Sequence, residues 1–213
     1  VEKDGARVVL VGDESALKRA VPQRHLDTGA LAIVHAPDVV AMDEKPAVAA
    51  RKKKDSSMRR ALDLVEAGDA CGAISAGNSG AMMATSLLVF GRIDGVLRPA
   101  IGTMVPSLTD IGLVMLVDAG ANTECEPEHL AQWALLGSEH VKRTFSVAAP
   151  KVGVVSNGEE DGKGTDLTRA ALALIRQLDV NAHGYVEGRD LNSGAVHVIV
   201  TDGFTGNVML KTA

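Results

Sequence analysis

Short apolar runs alternate with amphipathic stretches along this chain, and polar loops carrying glycine join them. Residues 7–11 predict a strand, closed by Gly12-Asp13-Glu14-Ser15 at the mouth of a short helix from Ala16. Residues 30–34 predict a second strand. Pro46 suits a first helical turn and predicts a short helix to about Arg51. Lys52-Lys53-Lys54-Asp55-Ser56-Ser57 interrupts it, and Asp55 or Ser56 caps a helix apolar at Met58, Ala61, Leu62 and Val65, which Gly68 ends. Residues 70–75 read as a buried third strand, followed by Ser75-Ala76-Gly77-Asn78-Ser79-Gly80-Ala81. The helix from Asn78 to Phe90 is apolar nearly all round, which places it centrally or at a subunit interface. Strands follow at 99–103, 113–117, 151–155 and 195–200, with helices at 127–143 and 166–178 and another starting after 201–207. Residues 186–190 read as a polar turn.

Strands that alternate with helices imply an α/β fold with a mostly parallel sheet. Continuous apolar runs such as Leu113-Val114-Met115-Leu116-Val117 imply that helices cover both faces. Ligands then bind beyond the carboxyl ends of the strands. That edge is expected to collect Gly12-Asp13 and the loops 75–81, 118–122, 156–165 and 202–207.

The length of 213 residues is read as a single α/β domain over 1–213, and the 46% hydrophobic content supplies its core. Aromatics make up only 2%, so Ala, Val, Leu and Met fill that core. A net charge of −5 with few aromatics argues against a nucleic-acid partner. Cys71 and Cys125 show no short spacing, which argues against a disulfide framework or zinc and for a reducing, cytosolic setting. No apolar run reaches membrane-span length, and Val1-Glu2-Lys3-Asp4 is no signal peptide. A start without Met and an end at Lys211-Thr212-Ala213, in mid-helix pattern, suggest an excised portion of something longer.

No dinucleotide fingerprint, phosphate-binding P-loop, nucleophile elbow or metal-spaced histidine pair occurs, so no cofactor and no metal is expected. His197, in a strand, reads as structural. Ser75, Gly77, Ser79 and Gly80 instead bring backbone N–H groups close to a helix N-terminus, where an anion is favoured. The same stretch also reads as a tight turn with Asn78 as the cap. Asn78, Asn122, Asn157 and Asn207 each suit either a helix cap or an amide donor to an oxyanion. Asp118 and Asp202 suit caps, or groups that orient a ligand or a lysine. Lys163, inside Glu159-Glu160-Asp161-Gly162-Lys163-Gly164, suits charge neutralisation of a phosphate, with the acids holding it in place. Lys52, Lys53, Lys54 and Arg59 form a basic cluster in an acidic chain: either a solvated face or a docking patch for an acidic partner or anionic lipid.

In order, HAPDVVAMDEKP, RKKKDSSM, SAGNSGAMMA, GRIDGVLRPA, DAGAN, NGEEDGKG, VEGRD and DGFTGNVMLKT resemble the bacterial phosphate acyltransferase family of phospholipid synthesis, the PlsX proteins. The resemblance covers almost the whole chain. It implies a Rossmann-like three-layer α/β/α sandwich related to phosphotransacetylases and isocitrate-dehydrogenase-like enzymes, acting as a homodimer. It implies transfer of an acyl group from acyl-carrier protein to inorganic phosphate, giving an acyl phosphate for a membrane glycerol-phosphate acyltransferase, with peripheral membrane association. The family's opening strand with its DAMGGD-like loop is absent, and so is the family's continuation past Lys211. Phosphate is itself a competent nucleophile, so the site has to supply an anion cradle, alignment and oxyanion stabilisation. In that chemistry Lys163, Asn207 and Asn78 are the candidate catalytic groups, with helix N-termini at Asn78 and Asn207 as the cradle. Ser75, Gly77, Ser79, Gly80, Asp118, Asn122, Glu159, Asp202 and Gly206 are the candidate substrate contacts. The basic cluster is the candidate dock for the carrier protein. The alternatives are a phosphotransacetylase-like activity on coenzyme A thioesters and a non-catalytic acyl-carrier or lipid-regulatory module.

Overall fold

The computed structural model describes residues 7–27, 29 and 31–213. The opening Val1-Glu2-Lys3-Asp4 and the Ala30 start of the second expected strand lie outside the described residues. The chain divides into two compact units, Val1–Ile93 and Asp94–Ala213.

In the first unit, β1 (Val8–Gly12) leads through α1 (Glu14–Ala20) and α2 (Gln23–Asp27) to β2 (Leu31–His35). The strands pair in parallel, Val8 opposite Leu31 and Gly12 opposite His35. Asp13 starts α1, its carboxylate accepting from the Ala16 N–H at 2.7 Å. Next come α3 (Pro46–Lys52), α4 (Ser57–Glu66) and α5 (Ser79–Phe90). Pro46 opens α3 because its fixed φ suits the first turn and its missing N–H is not needed there. Ser56, not Asp55, caps α4, with Oγ accepting from the Arg59 N–H. Packing among these helices relies on small residues: Ala49, Ala50 and Ala81 are buried, and a Cβ at Gly80 would sit 2.9 Å from Pro46 Cγ.

One expectation fails in this unit and another is narrowed. Residues 70–75 form no strand; Cys71 and Ile74 are exposed. Ile74 is the single large side chain in that run, and Ala and Gly are poor strand formers, so there is little apolar area to hold it in a sheet. Of the two placements expected for α5, the central one does not hold: Ala81 and Thr85 are covered, but Leu87, Leu88 and Phe90 are exposed. The small residues at its start set its packed face, and the large ones near its end are left outside.

The second unit begins with a hairpin, β3 (Gly102–Pro106) antiparallel to β4 (Leu113–Val117). It continues through α6 (Pro127–Phe145), β5 (Lys151–Val155), α7 (Asp166–Ile175), β6 (Asn181–Val186), a 3-10 turn (Gly188–Leu191), β7 (Val198–Val200) and α8 (Gly203–Thr212). The sheet order is β3-β4-β7-β5-β6, parallel throughout except for β3. Strand β6 has no counterpart among the elements expected from sequence. It is an edge strand with polar Asn181 and His183 exposed, and Gly184 interrupts its apolar character.

Alternation along the strands builds two cores. Val117, Val152, Val154, Val198 and Val200 face α6 and α7, with Leu130, Trp133, Val141 and Ile175. Val114, Leu116 and Ile199 face the other way, towards Leu191 and Met209 of the 3-10 turn and α8. This is the three-layer arrangement. Gly137 brings α6 close to the sheet, since a Cβ there would lie 2.8 Å from Val198 Cγ1. The last strand in sequence, β7, is central in space, so the strand order reverses around it. Such a reversal opens a crevice at the carboxyl ends of the strands.

Candidate active site

Three loops leave the carboxyl ends of adjacent strands in the second unit: 118–122 after β4, 201–207 after β7 and 156–165 after β5. The other two expected loops, at Gly12-Asp13 and 75–81, belong to the first unit, the former at the end of a strand in its own two-stranded sheet.

Asp118 organises the β4 loop. Its side chain is fully buried, and the peptide before it is cis. Oδ1 accepts from the N–H groups of Ile101 (3.1 Å), Gly120 (3.1 Å) and Ala121 (3.0 Å). Oδ2 accepts from the backbone N–H (2.7 Å) and the side-chain amide (2.8 Å) of Asn122. That amide also donates to the Pro99 carbonyl at 2.9 Å. Every acceptor position of the carboxylate is thus engaged in holding the loop, and Asn122 is committed with it.

The β7 loop packs onto this scaffold. The Gly203 N–H donates to the Asn122 carbonyl at 2.7 Å. A Cβ at Gly206 would run into the Asp118 carbonyl oxygen, so only glycine allows α8 to approach this closely. Asp202 is the cap of α8, accepting from the Thr205 N–H (2.9 Å) and hydroxyl (2.7 Å). Asn207 therefore stands in the second turn of α8, not at its N-terminus as expected. The sequence loop of small residues runs straight into the helix, which starts earlier than its polar residues suggest. Asn207 is half-buried beside Gly120, where a Cβ would lie 3.4 Å from its Cβ and Cγ. Among the described residues, its side-chain amide makes no hydrogen bond.

The β5 loop is closed at its base by Asn157, whose Oδ1 accepts from the Gly164 N–H at 2.8 Å. Its acids do not hold Lys163. Glu159 pairs with Arg189 at 3.2 Å, and Asp161 with Arg176 at 3.4 Å. Arg189 also reaches Glu187 at 2.8 Å, and its hydrogen bond to Glu159 raises its already high pKa. The backbone N–H of Lys163 donates to the Glu160 carbonyl, and its stem passes over Gly158, where a Cβ would lie 3.0 Å from Lys163 Cγ. Lys163 is exposed, and among the described residues its ammonium forms no ion pair. The expectation that neighbouring acids fix this lysine is corrected for two of the three: Glu159 and Asp161 pair with arginines instead. Arg189 and Arg176 were missed, because Arg189 lies in a stretch read only as a turn and Arg176 within a helix.

Asn78, in the first unit, has the geometry of the cap, one of its two expected roles. It is buried, its Oδ1 accepting from the Ala81 N–H at 3.0 Å. Its amide points at the carbonyls of Met42 (3.1 Å) and Glu44 (3.2 Å). It caps α5 and ties down the 41–45 loop, leaving no N–H for a ligand. Ser75 Oγ accepts from the Gly77 N–H, while Ser79 is exposed in the first turn of α5.

The basic cluster divides. Lys53 pairs with Glu44 at 2.5 Å and donates to the Val39 carbonyl at 2.6 Å, and Arg59 pairs with Asp63 at 2.7 Å. Lys52 and Lys54 are exposed and without ion pairs among the described residues. His197 lies at the amino ends of the strands, away from these loops. Its Nδ1 accepts from the Lys151 N–H at 3.1 Å and its Nε2 meets Asp110 at 2.8 Å, a structural role as expected. Cys125 donates to the Asn122 carbonyl, and burial pushes its thiol up to about 11.

A family model described as "Fatty acid synthesis protein" matches residues 1–213. A protein named phosphate acyltransferase from Myxococcus xanthus is 51% identical over 209 residues, covering 98% of this chain and 59% of its own length. Its namesake from Elusimicrobium minutum is 51% identical over 205 residues, covering 96% and 60%. The chain therefore spans about three fifths of the length of these curated relatives. Among solved structures, the EutD phosphotransacetylase from Staphylococcus aureus aligns with a TM-score of 0.59 at 18% identity, covering 98% of this chain and 81% of that one. A phosphotransacetylase from Streptococcus pyogenes aligns with a TM-score of 0.60 at 16% identity, covering 97% and 81%. These agree on the fold.

Proposed function

Because this chain belongs to the fatty acid synthesis protein family, whose members include the phosphate acyltransferases just compared, we propose that it serves acyl transfer to phosphate within the intact protein. The acyl donor is an acyl thioester of acyl-carrier protein, and the product is an acyl phosphate used in phospholipid synthesis. One observation carries the reading. The loops at the carboxyl ends of β4, β7 and β5 hold a cation and an amide, Lys163 and Asn207, that no other group among the described residues engages.

Lys163 neutralises the incoming phosphate, and arginine pairing of Glu159 and Asp161 removes two of the neighbouring acids that would otherwise compete for it. A phosphate oxygen attacks the thioester carbonyl carbon. The carbonyl oxygen becomes the oxyanion, and the Asn207 amide donates to it. Collapse expels the carrier thiolate, which takes a proton from solvent, and leaves the acyl phosphate. Asp118, Asn122, Asp202 and Gly206 hold the two loops in register, so their role is positioning. Within the first unit, Ser75, Gly77, Ser79 and Gly80 form an anion-binding loop in this proposal, with Asn78 fixing the helix start. Lys52 and Lys54 dock the acidic carrier protein. The intact protein acts as a homodimer on the cytoplasmic side and touches the membrane only peripherally. No helix among the described residues is long and apolar enough to cross a membrane.

The test is release of free thiol from palmitoyl–acyl-carrier protein by the intact protein, with and without inorganic phosphate. Thiol release that requires phosphate supports the reading. Release from palmitoyl-coenzyme A alone would transfer it to the coenzyme A activity, and tight carrier binding with no release would make it a binding module.

A further inference from the structure

Phe204 stands out in a chain with three Phe, one Tyr and one Trp: it occupies the first turn of α8 and leaves 66% of its surface in solvent. Val208, one helical turn on, is 50% exposed, so the two share one face of the helix. The opposite face is fixed, because Gly203 and Gly206 pack against the 118–122 loop and Met209 is buried in the core. Phe204 is therefore an exposed aromatic on a rigid backbone, three residues from the uncommitted Asn207. Resting on the reading of Asn207 as the oxyanion donor, we propose that Phe204 and Val208 form an apolar track that receives the acyl chain beside the thioester carbonyl. This track makes the site selective for long chains.

Area argues for a chain over a second protein copy. A buried aromatic covers roughly 150–250 Å², whereas each side of a stable protein interface needs about 800 Å². A strip of one Phe and one Val is the right size for several methylenes and too small for a subunit. Its position argues the same way: the strip begins where the carbonyl would sit, at the carboxyl end of the central strand.

The test compares the intact protein with Phe204→Ala, Phe204→Leu and Val208→Ser in phosphate-dependent thiol release from butyryl and palmitoyl carrier thioesters. Phe204→Ala is expected to lower kcat/KM for palmitoyl about tenfold more than for butyryl, ~1.4 kcal/mol of chain contact. Phe204→Leu should restore most of the difference, and Val208→Ser should show a smaller loss of the same kind. Binding of a non-reactive palmitoyl thioether analogue of the carrier thioester should weaken in parallel. Equal losses for both chain lengths, or no loss, would overturn the track while leaving acyl transfer to phosphate intact. A change in solution mass on Phe204→Ala would assign the strip to a second copy and overturn it too, as would a melting temperature lowered by several degrees, which would make Phe204 structural. An unsubstituted protein that releases no thiol at all would remove the underlying reading and the track with it.

Discussion

Replacing Asp118 by Asn keeps the size and shape of the side chain and removes its charge and half of its acceptor capacity. The carboxylate takes five hydrogen bonds, three on Oδ1 and two on Oδ2, in a position with no solvent exposure. An Asn side chain turned to keep the three on its carbonyl oxygen places its NH2 against the two Asn122 donors. Hydrogen bonds to charged groups are worth about 1.5–3 kcal/mol each, and the orphaned donors add their desolvation cost. The loss is therefore about 4 kcal/mol, a drop in Tm on the order of 10 °C for a chain of this size. Urea denaturation followed by circular dichroism gives the free energy directly, and the slope m should stay constant. The reasoning is refuted if Asp118→Asn costs less than about 1 kcal/mol, close to the roughly 0.5 kcal/mol that an ordinary surface substitution costs. As a control, Asp202→Asn at the half-buried cap of α8 should cost less, since Asn caps helices about as well as Asp.

Lys163→Ala should lower kcat for acyl phosphate formation by on the order of 10² or more, with thermal stability unchanged because the ammonium has no ion pair to lose among the described residues. Steady-state kinetics beside a melting curve check both parts, and a variant with nearly full activity would reject the assignment. In the basic cluster, Lys52→Ala with Lys54→Ala should raise KM for the carrier protein and flatten its salt dependence. Lys53→Ala should instead loosen the 39–44 loop, which limited proteolysis would detect. An aromatic disulfide reagent at pH 8 should titrate exposed Cys71 quickly. Cys125, half-buried with its thiol raised to about 11, should react much more slowly; two equally fast thiols would contradict that burial.

Pattern alone was enough for the parts of this protein whose structure is local. Helix starts at Pro46 and Ser56, the strand at 113–117 and the long helix from Pro127 follow from caps, fixed φ and side-chain periodicity, which neighbours in sequence settle. The run of family-like strings likewise pointed to the fold and to the glycine-bearing loops. Partnership between residues distant in sequence was not legible. Two asparagines, Asn78 and Asn207, each preceded by a glycine in a glycine-bearing stretch, look alike as letters. Asn78 has its amide used up by carbonyls more than thirty positions away, while the Asn207 amide, beside Gly120, has no such partner among the described residues. Lys163 and its acids are neighbours in the chain, yet Asp161 and Glu159 turn to Arg176 and Arg189, brought in by the end of α7 and by the turn after β6. Residues 70–75 failed as a strand for the same reason, since a strand needs a partner as well as a composition. Hydrogen bonds and charges are spent pairwise in three dimensions, so which polar group is left over for chemistry is decided only when the chain closes on itself.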